Sequence, residues 1–207
     1  MTTVLDFMRH GEPVGGRKYR GQIDDPLSEK GWHQMRATVG DFAGWDAVIS
    51  SPLTRCHAFA EELAGRLHKP LHLDPRLKEV GFGEWEGKTP AELKASDPDT
   101  LTRFKLDPVG SRPAGAEPLE DFHRRVGEAL DSVLAHHAGQ HVLVVCHAGV
   151  IRMVLAHALS MPLANAYRIH VASAALTRLV AQPAGQGVLW QLRFLDGRVD
   201  APLGNAE

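Results

Sequence analysis

Cysteine is scarce in this sequence, and long hydrophobic runs are absent from it. The 207 residues include two cysteines, Cys56 and Cys146, too few for the disulfide framework of a small secreted protein. No apolar run approaches the roughly 18 residues that a transmembrane helix needs, and the N-terminal stretch lacks the apolar core of a signal peptide. We therefore expect a soluble protein of the reducing cytoplasm.

The sequence also lacks an excess of charge of either sign. Its 23 lysines and arginines stand against 25 acidic residues, so nucleic acid and acidic membranes are not the expected partners. A hydrophobic content of 43% is enough for one core, and we predict a single domain over residues 1–207. We expect a small-molecule partner, and the sequence leaves monomer and homodimer open.

Strand and helix patterns alternate along most of the chain. Apolar runs predict strands at 4–8, 46–50, 71–73 and 142–146, and helical spacing predicts helices at 28–43, 52–67, 89–96, 118–134 and 150–159. Short β segments at 166–170, 174–180 and 188–195 are expected to add antiparallel strands. This order predicts an α/β fold, a three-layer sandwich whose mostly parallel central sheet carries helices on both faces.

The stretch 97–117 interrupts this alternation. It is rich in proline and glycine, with one turn of helix expected near 101–106. Such an excursion forms either a small cap or lid over a site or an ordered surface loop.

Two of the predicted strands end in the same way. Arg9-His10-Gly11 follows the first strand, and Cys146-His147-Ala148-Gly149 ends the fourth; Arg55 lies in the first turn of the helix after the second strand. If these strands are neighbours, two imidazoles and two guanidiniums meet at one edge of the sheet, where open α/β folds bind ligands. A phosphate group suits such a set, because its oxygens accept forked arginine donors.

A neutral imidazole in such a site is a competent nucleophile toward phosphorus. The surrounding cations neutralise the negative charge on the equatorial oxygens of the phosphoryl group during its transfer. This chemistry therefore demands neither a metal nor a cofactor. The leaving oxygen still needs a proton, and the acid-rich segment 76–87 contains carboxyl groups that could donate it.

Four ordered segments resemble the histidine phosphatases, the phosphoglycerate-mutase-like superfamily. They are Arg9-His10-Gly11, the run 50–55, the stretch 77–87 and Cys146-His147-Ala148-Gly149. The resemblance implies that His10 becomes phosphorylated and that Glu79 donates the proton. It also implies a phosphoryl-binding set of three residues: Arg9, Arg55 and His147.

Within this superfamily, the segments 20–28 and 82–87 look most like α-ribazole phosphatases, which act on α-ribazole 5′-phosphate in cobalamin assembly. The resemblance then suggests a set of substrate-binding residues near the first strand and the second histidine. These are Gly11, Arg17, Arg20, Gly21, Gln22 and Ala148.

The sequence departs from the mutases of the superfamily at several positions. Gly15-Gly16-Arg17 stands where the mutases have an asparagine, and Ala148-Gly149 replaces their Gly-Asn after the second histidine. The stretch 97–117 lacks the paired arginines with which mutases hold a second phosphate. These differences favour hydrolysis over mutase activity. Pro118 stands where related phosphatases often have serine, which weakens a substrate-binding role for Glu117.

Other interpretations remain open at this point. A cofactor-dependent phosphoglycerate mutase or a sugar-phosphate phosphatase would share the phosphate site, and an inactive module could use the site only to bind a phosphorylated ligand. The run from Cys146 to Arg152 has the spacing of a cysteine-dependent phosphatase loop, although it leaves His10 unexplained. Glu84 and Glu86 compete with Glu79 for the acid role. The remaining histidines show no metal-ligand spacing.

Overall fold

The computed structural model describes residues 1–197 of the chain. It contains one mixed sheet of six strands in the order β3-β2-β4-β1-β5-β6. The strands are β1 (Thr3–Arg9), β2 (Ala47–Ser50), β3 (Leu71–Leu73), β4 (His141–Cys146), β5 (Leu176–Ala184) and β6 (Gly187–Gly197).

Strands β1 to β4 are parallel to one another, whereas β5 pairs antiparallel with β1 and β6 antiparallel with β5. The predicted α/β fold, with a mostly parallel sheet and antiparallel additions, is confirmed. Parallel pairing of β1, β4 and β2 brings their carboxyl ends to one edge.

Helices cover both faces of this sheet, which gives the predicted three layers. They are α1 (Glu29–Val39), α2 (Thr54–Leu67), α3 (Pro90–Ser96), α4 (Thr100–Leu106), α5 (Leu119–His136) and α6 (Ala148–Ala158). Helices α1 and α2 pack on one face through residues such as Met35 and Phe59. Helices α3 to α6 pack on the other face, where Phe104, Phe122 and Ile151 are buried.

Local sequence signals account for several helix ends. Ser28 caps α1 by accepting a hydrogen bond from the Gly31 amide at 3.0 Å. Thr89 and Glu92 form a reciprocal capping box at the start of α3, with Pro90 at its first position. The two predictions of these helix starts are confirmed.

The structure corrects three predicted elements. Helix α1 ends at Val39 rather than near 43, because Gly40 adopts a positive φ of 48° and closes the helix. Helix α2 begins at Thr54, two residues later than predicted, since the Ser51 hydroxyl accepts a hydrogen bond from the Leu53 amide just before the helix. The segment 166–170, predicted as a strand, lies largely within a 3₁₀ helix, Leu163–Arg168. Its Tyr167 ring packs on Phe104, and five residues are too few to distinguish a strand from a tight helix.

The prolines and glycines of the stretch 97–117 flank helix α4. Leu101 and Phe104 are buried, so the helix is anchored to the core. Within residues 1–197, no helix is long and apolar enough to cross a membrane.

Candidate active site

The carboxyl ends of β1 and β4 bring His10 and His147 together. Arg9 pairs with Cys146 in the parallel register, and the His10 amide donates to the Cys146 carbonyl at 3.0 Å. The two imidazole rings then meet edge to face, with their centroids 5.2 Å apart. At the end of β2, the Ser51 hydroxyl lies 2.8 Å from His147 Nε2. Three strand ends therefore build one polar cluster.

One ring nitrogen of His10 forms a hydrogen bond with the backbone. Its Nδ1 lies 2.7 Å from the Gly11 carbonyl oxygen, which can only accept, so Nδ1 carries the proton and Nε2 of the neutral ring keeps its lone pair. Burial, with Arg55 and Arg9 nearby, lowers the His10 pKa well below 6.5. The ring is only 6% exposed but borders the cavity described below. This arrangement presents a neutral nucleophilic nitrogen.

Two guanidinium groups flank this imidazole. Arg55 is 1% exposed, and its terminal nitrogens donate to the Ile23 and Gly21 carbonyls at 2.7 and 2.8 Å. Arg9 donates to the Val171 carbonyl at 2.6 Å, and burial lowers its pKa. Among residues 1–197, neither side chain forms an ion pair with a carboxylate. Arg55 is buried and Arg9 partly buried, and two guanidinium groups without an ion-pair partner favour binding of an anion.

His147 lies behind His10 and is fully buried. Burial, together with Arg55 and His10, lowers its pKa well below 6.5, so the ring is neutral. The Cys56 thiol lies 3.6 Å from its Nε2. His147 does not border the cavity itself.

Glu79 approaches the cluster from the segment between β3 and α3. Its two carboxyl oxygens accept hydrogen bonds from the Val80 amide at 3.0 Å and the Gly149 amide at 3.1 Å. A side chain on Gly149 would collide with this carboxyl group. Because glycine has no Cβ, the Glu79 carboxyl group can lie against the start of α6. Glu79 borders the cavity, whereas Glu84 is exposed and Glu86 binds the Phe82 amide instead.

A cavity of about 510 Å³ opens in front of His10. One part of its wall is aromatic: Tyr19, Phe82, Phe104 and Tyr167 border the cavity, and each ring packs edge to face on the next. Burial raises the pKa of Tyr167 to about 12, so its hydroxyl stays protonated.

The sequence interpretation missed much of the cavity lining. The missed residues include Tyr19, Phe104, Lys105, Arg152, Tyr167 and His170. Arg152 had a local signal, since it follows His147 by little more than one helical turn. Tyr19 lies between the predicted residues Arg17 and Arg20, whereas the others come from distant segments that only the fold brings to the cavity.

The predicted substrate-binding residues occupy different environments. Arg17 borders the cavity and is exposed, and Ala148 and Gly21 border it as well. Arg20 also borders it, but its guanidinium is already bound by Asp25 and by two loop carbonyls, those of residues 14 and 16. Gln22 is exposed and lies outside the cavity lining.

Gly11, the remaining predicted pocket residue, packs tightly instead of facing the cavity. A Cβ at this position would collide with the backbone of Gly31. In the structure, Gly11 contributes to the site through its carbonyl oxygen, which accepts the hydrogen bond that orients the His10 ring.

Cys146 does not have the environment of a phosphatase nucleophile. It is fully buried in β4, and burial raises its pKa well above 9. The cavity lining does not include it. The cysteine-phosphatase interpretation therefore lacks both an accessible thiol and a thiolate.

Comparison with known proteins gives a consistent family. Residues 5–192 match the sequence model of the histidine phosphatase superfamily (branch 1). The chain is 37% identical over 180 residues to the "Bifunctional protein Rv2228c" of Mycobacterium tuberculosis, a match that covers 84% of this chain and 49% of that protein. The chain thus spans about half the length of this relative. It is 31% identical over 172 residues to the adenosylcobalamin/alpha-ribazole phosphatase of Salmonella typhimurium, covering 81% and 85% of the two chains.

Solved structures agree with these sequence matches. A mycobacterial glucosyl-3-phosphoglycerate phosphatase superimposes with a TM-score of 0.84 at 25% identity, covering 95% of this chain and 99% of that one. The same mycobacterial enzyme has also been solved as a complex with inorganic phosphate.

Proposed function

Because the chain belongs to the histidine phosphatase superfamily, we propose that it hydrolyses phosphomonoesters through a phosphohistidine on His10. The observation that carries this proposal is the environment of His10. Its Nδ1 is bound to the Gly11 carbonyl, and its free Nε2 lies near the buried guanidinium of Arg55 and the partly buried guanidinium of Arg9. Among the described residues, neither arginine forms an ion pair with a carboxylate. A neutral nucleophile beside two guanidinium groups suits a dianionic phosphate.

In the first step, His10 Nε2 attacks phosphorus. The new P–N bond forms as the ester P–O bond breaks, and the leaving alkoxide takes a proton from the Glu79 carboxyl group. Arg9 and Arg55 neutralise the phosphoryl oxygens, and His147, which packs edge to face behind the His10 ring, holds that ring in position. Glu79 is assigned the donor role over Glu84 because Glu79 alone of the two borders the cavity.

In the second step, water attacks the phosphohistidine. Glu79, now a carboxylate, accepts a proton from that water, the P–N bond breaks, and inorganic phosphate leaves with His10 restored. Glu79 donates and accepts the protons in both steps, and Arg9 and Arg55 neutralise the charge on the phosphoryl group. The proposed mechanism therefore assigns no step to a metal or a cofactor.

The proposed substrate is α-ribazole 5′-phosphate. Two observations support it: the 31% identity to an adenosylcobalamin/alpha-ribazole phosphatase, and the aromatic wall formed by Tyr19, Phe82, Phe104 and Tyr167. Such a wall suits the flat base of α-ribazole better than the small polar alcohol of a sugar phosphate. Cobalamin assembly is then the proposed pathway, and the cytoplasm the proposed location.

A panel of substrates tests this assignment. Phosphate release would be measured with α-ribazole 5′-phosphate, phosphoserine, 3-phosphoglycerate and a hexose phosphate. We expect the highest kcat/KM with α-ribazole 5′-phosphate. Equal, low rates across the panel would overturn the substrate assignment, and a preference for a hexose phosphate would favour a sugar-phosphate phosphatase. Isomerisation of 3-phosphoglycerate faster than phosphate release would favour a mutase.

The chemistry has its own test, which does not depend on the natural substrate. We expect release of p-nitrophenol from p-nitrophenyl phosphate, abolished in His10→Ala. A wild-type protein that binds phosphate but never releases p-nitrophenol would instead be a binding module.

We propose that residues 97–117 form a cap over the cavity within a single domain. Phe104 and Lys105 of α4 border the cavity, which supports this role. Over residues 1–197, β6 is an edge strand of the sheet, which is compatible with a monomer or a homodimer. Sedimentation velocity distinguishes the two states.

A further inference from the structure

The guanidinium of Arg125, on α5, uses all five of its N–H groups. Its Nη1 donates to the Arg76 and Lys78 carbonyls, the latter at 2.7 Å, and its Nη2 donates to the Glu79 carbonyl at 3.2 Å. Nε and Nη2 also form a two-pronged contact with the Glu117 carboxylate, at 2.7 and 2.9 Å. Arg125 therefore binds the backbone at and just before Glu79.

Glu117 completes this arrangement on the other side of Glu79. Its backbone amide donates to the Gly81 carbonyl at 3.0 Å, and its carboxylate accepts from the Gly81 amide at 3.2 Å. The ion pair with Arg125 is about four-fifths buried, with 18% and 20% of the two side chains exposed. The segment from 76 to 81 is thus held from both ends by one ion pair.

The Glu79 side chain has few restraints of its own. Its carboxyl group is held by two backbone amides, those of Val80 and Gly149. The position of that carboxyl group therefore depends on where the backbone at Glu79 is held. Because proton transfer to a leaving group needs hydrogen-bond distance, a shift of this backbone weakens the donor without removing it.

We propose that Arg125, together with Glu117, is a positioning residue that sets Glu79 at the distance needed for proton donation. This inference rests on the proposed role of Glu79. Neither Arg125 nor Glu117 borders the cavity, so the pair acts through the backbone and not through contact with substrate.

The test compares variants at two adjacent arginines. Arg125→Lys keeps the positive charge but loses the planar guanidinium, which makes the five hydrogen bonds and lies over the Phe122 ring. Arg124→Gln is the matched control, because Arg124 is exposed on the same helix and pairs only with Asp121 and Glu128 among the described residues. Thermal unfolding of each variant checks that it is folded.

The readout is kcat/KM for two esters that differ in their need for a proton. An alkyl phosphate needs protonation of its leaving oxygen, whereas 2,4-dinitrophenyl phosphate does not. We expect Arg125→Lys to lose on the order of 10-fold with the alkyl ester and less than about 2-fold with the dinitrophenyl ester. Glu79→Gln should show the same selectivity with a larger loss, and Arg124→Gln should match the wild type with both esters.

The outcomes separate this inference from the proposed function. An equal loss with both esters, or no loss, in Arg125→Lys would overturn the positioning role, provided that Glu79→Gln remains selective. An unselective Glu79→Gln would refute the donor role on which the inference rests. The double variant Arg125→Lys, Glu79→Gln should be no slower on the alkyl ester than Glu79→Gln alone, because the two act in one step. Additive losses would also contradict the positioning role.

Discussion

Replacing Gly149 with alanine should displace the proposed proton donor while leaving the fold intact. An added Cβ would lie 3.0 Å from the carboxyl carbon of Glu79 and closer still to one of its oxygens, and 3.1 Å from the Phe122 ring. Since ordinary contacts of this kind need about 3.5 Å or more, the carboxyl group must move by about 1 Å. A displacement of this size can cost on the order of 10²-fold in rate.

Stability should respond differently from activity. Gly149 lies in the first turn of α6, where alanine favours the helix by up to about 1 kcal/mol relative to glycine. Moving the flexible end of Glu79 offsets part of this gain. We therefore expect the free energy of unfolding to change by less than about 1 kcal/mol while kcat/KM for an alkyl phosphate falls strongly.

Urea denaturation and steady-state kinetics measure the two quantities. Gly65→Ala is the matched control, because Gly65 lies in helix α2 and its added Cβ would meet no atom within 4 Å. That variant should gain stability and keep full activity. Unchanged kcat/KM in Gly149→Ala would refute the proposed position and role of Glu79.

Three further predictions follow from buried groups. The His10 ring should remain neutral well below pH 6.5 in an NMR titration, and titration at 6.5 would contradict this. The free energy of unfolding should also fall as pH drops below 6.5, because the unfolded chain then binds a proton that the folded ring does not. Asp6→Asn should cost about 3–5 kcal/mol in urea denaturation, because it breaks the buried pair with Arg178; a cost below about 1 kcal/mol would show that the pair is not needed. Cys146→Ala should retain phosphatase activity; its loss in a folded variant would revive the cysteine mechanism.

The fold was predictable because apolar patterns along the chain match the layers of the sandwich. The run at 142–146 is apolar throughout, and the structure places it as a central strand buried on both faces. The end of α1 was harder to predict, since it depends on the positive φ of Gly40, which the apolar pattern does not encode. The 3₁₀ helix at Leu163–Arg168 depends on the contact between Tyr167 and Phe104, which are far apart in sequence.

The candidate site also has a part that the sequence predicts and a part that it does not. His10, Arg55 and His147 follow predicted strands, so topology alone brings them to one edge of the sheet. Their tautomers and protonation could not be predicted, because these depend on burial and on single contacts such as that of His10 Nδ1 with the Gly11 carbonyl. The same holds for Arg125, whose backbone carbonyl partners come from a segment about 50 residues away in the chain.

The central claim is that His10 carries the phosphoryl group, and mass spectrometry after a rapid alkaline quench tests it most directly. During turnover of a phosphomonoester, we expect a peptide containing His10 to gain one phosphoryl group that is stable in base and lost in acid, as a phosphoramidate should be. His10→Ala should show no such adduct and no turnover. A phosphoryl group on another residue, or undiminished turnover in His10→Ala, would contradict the account.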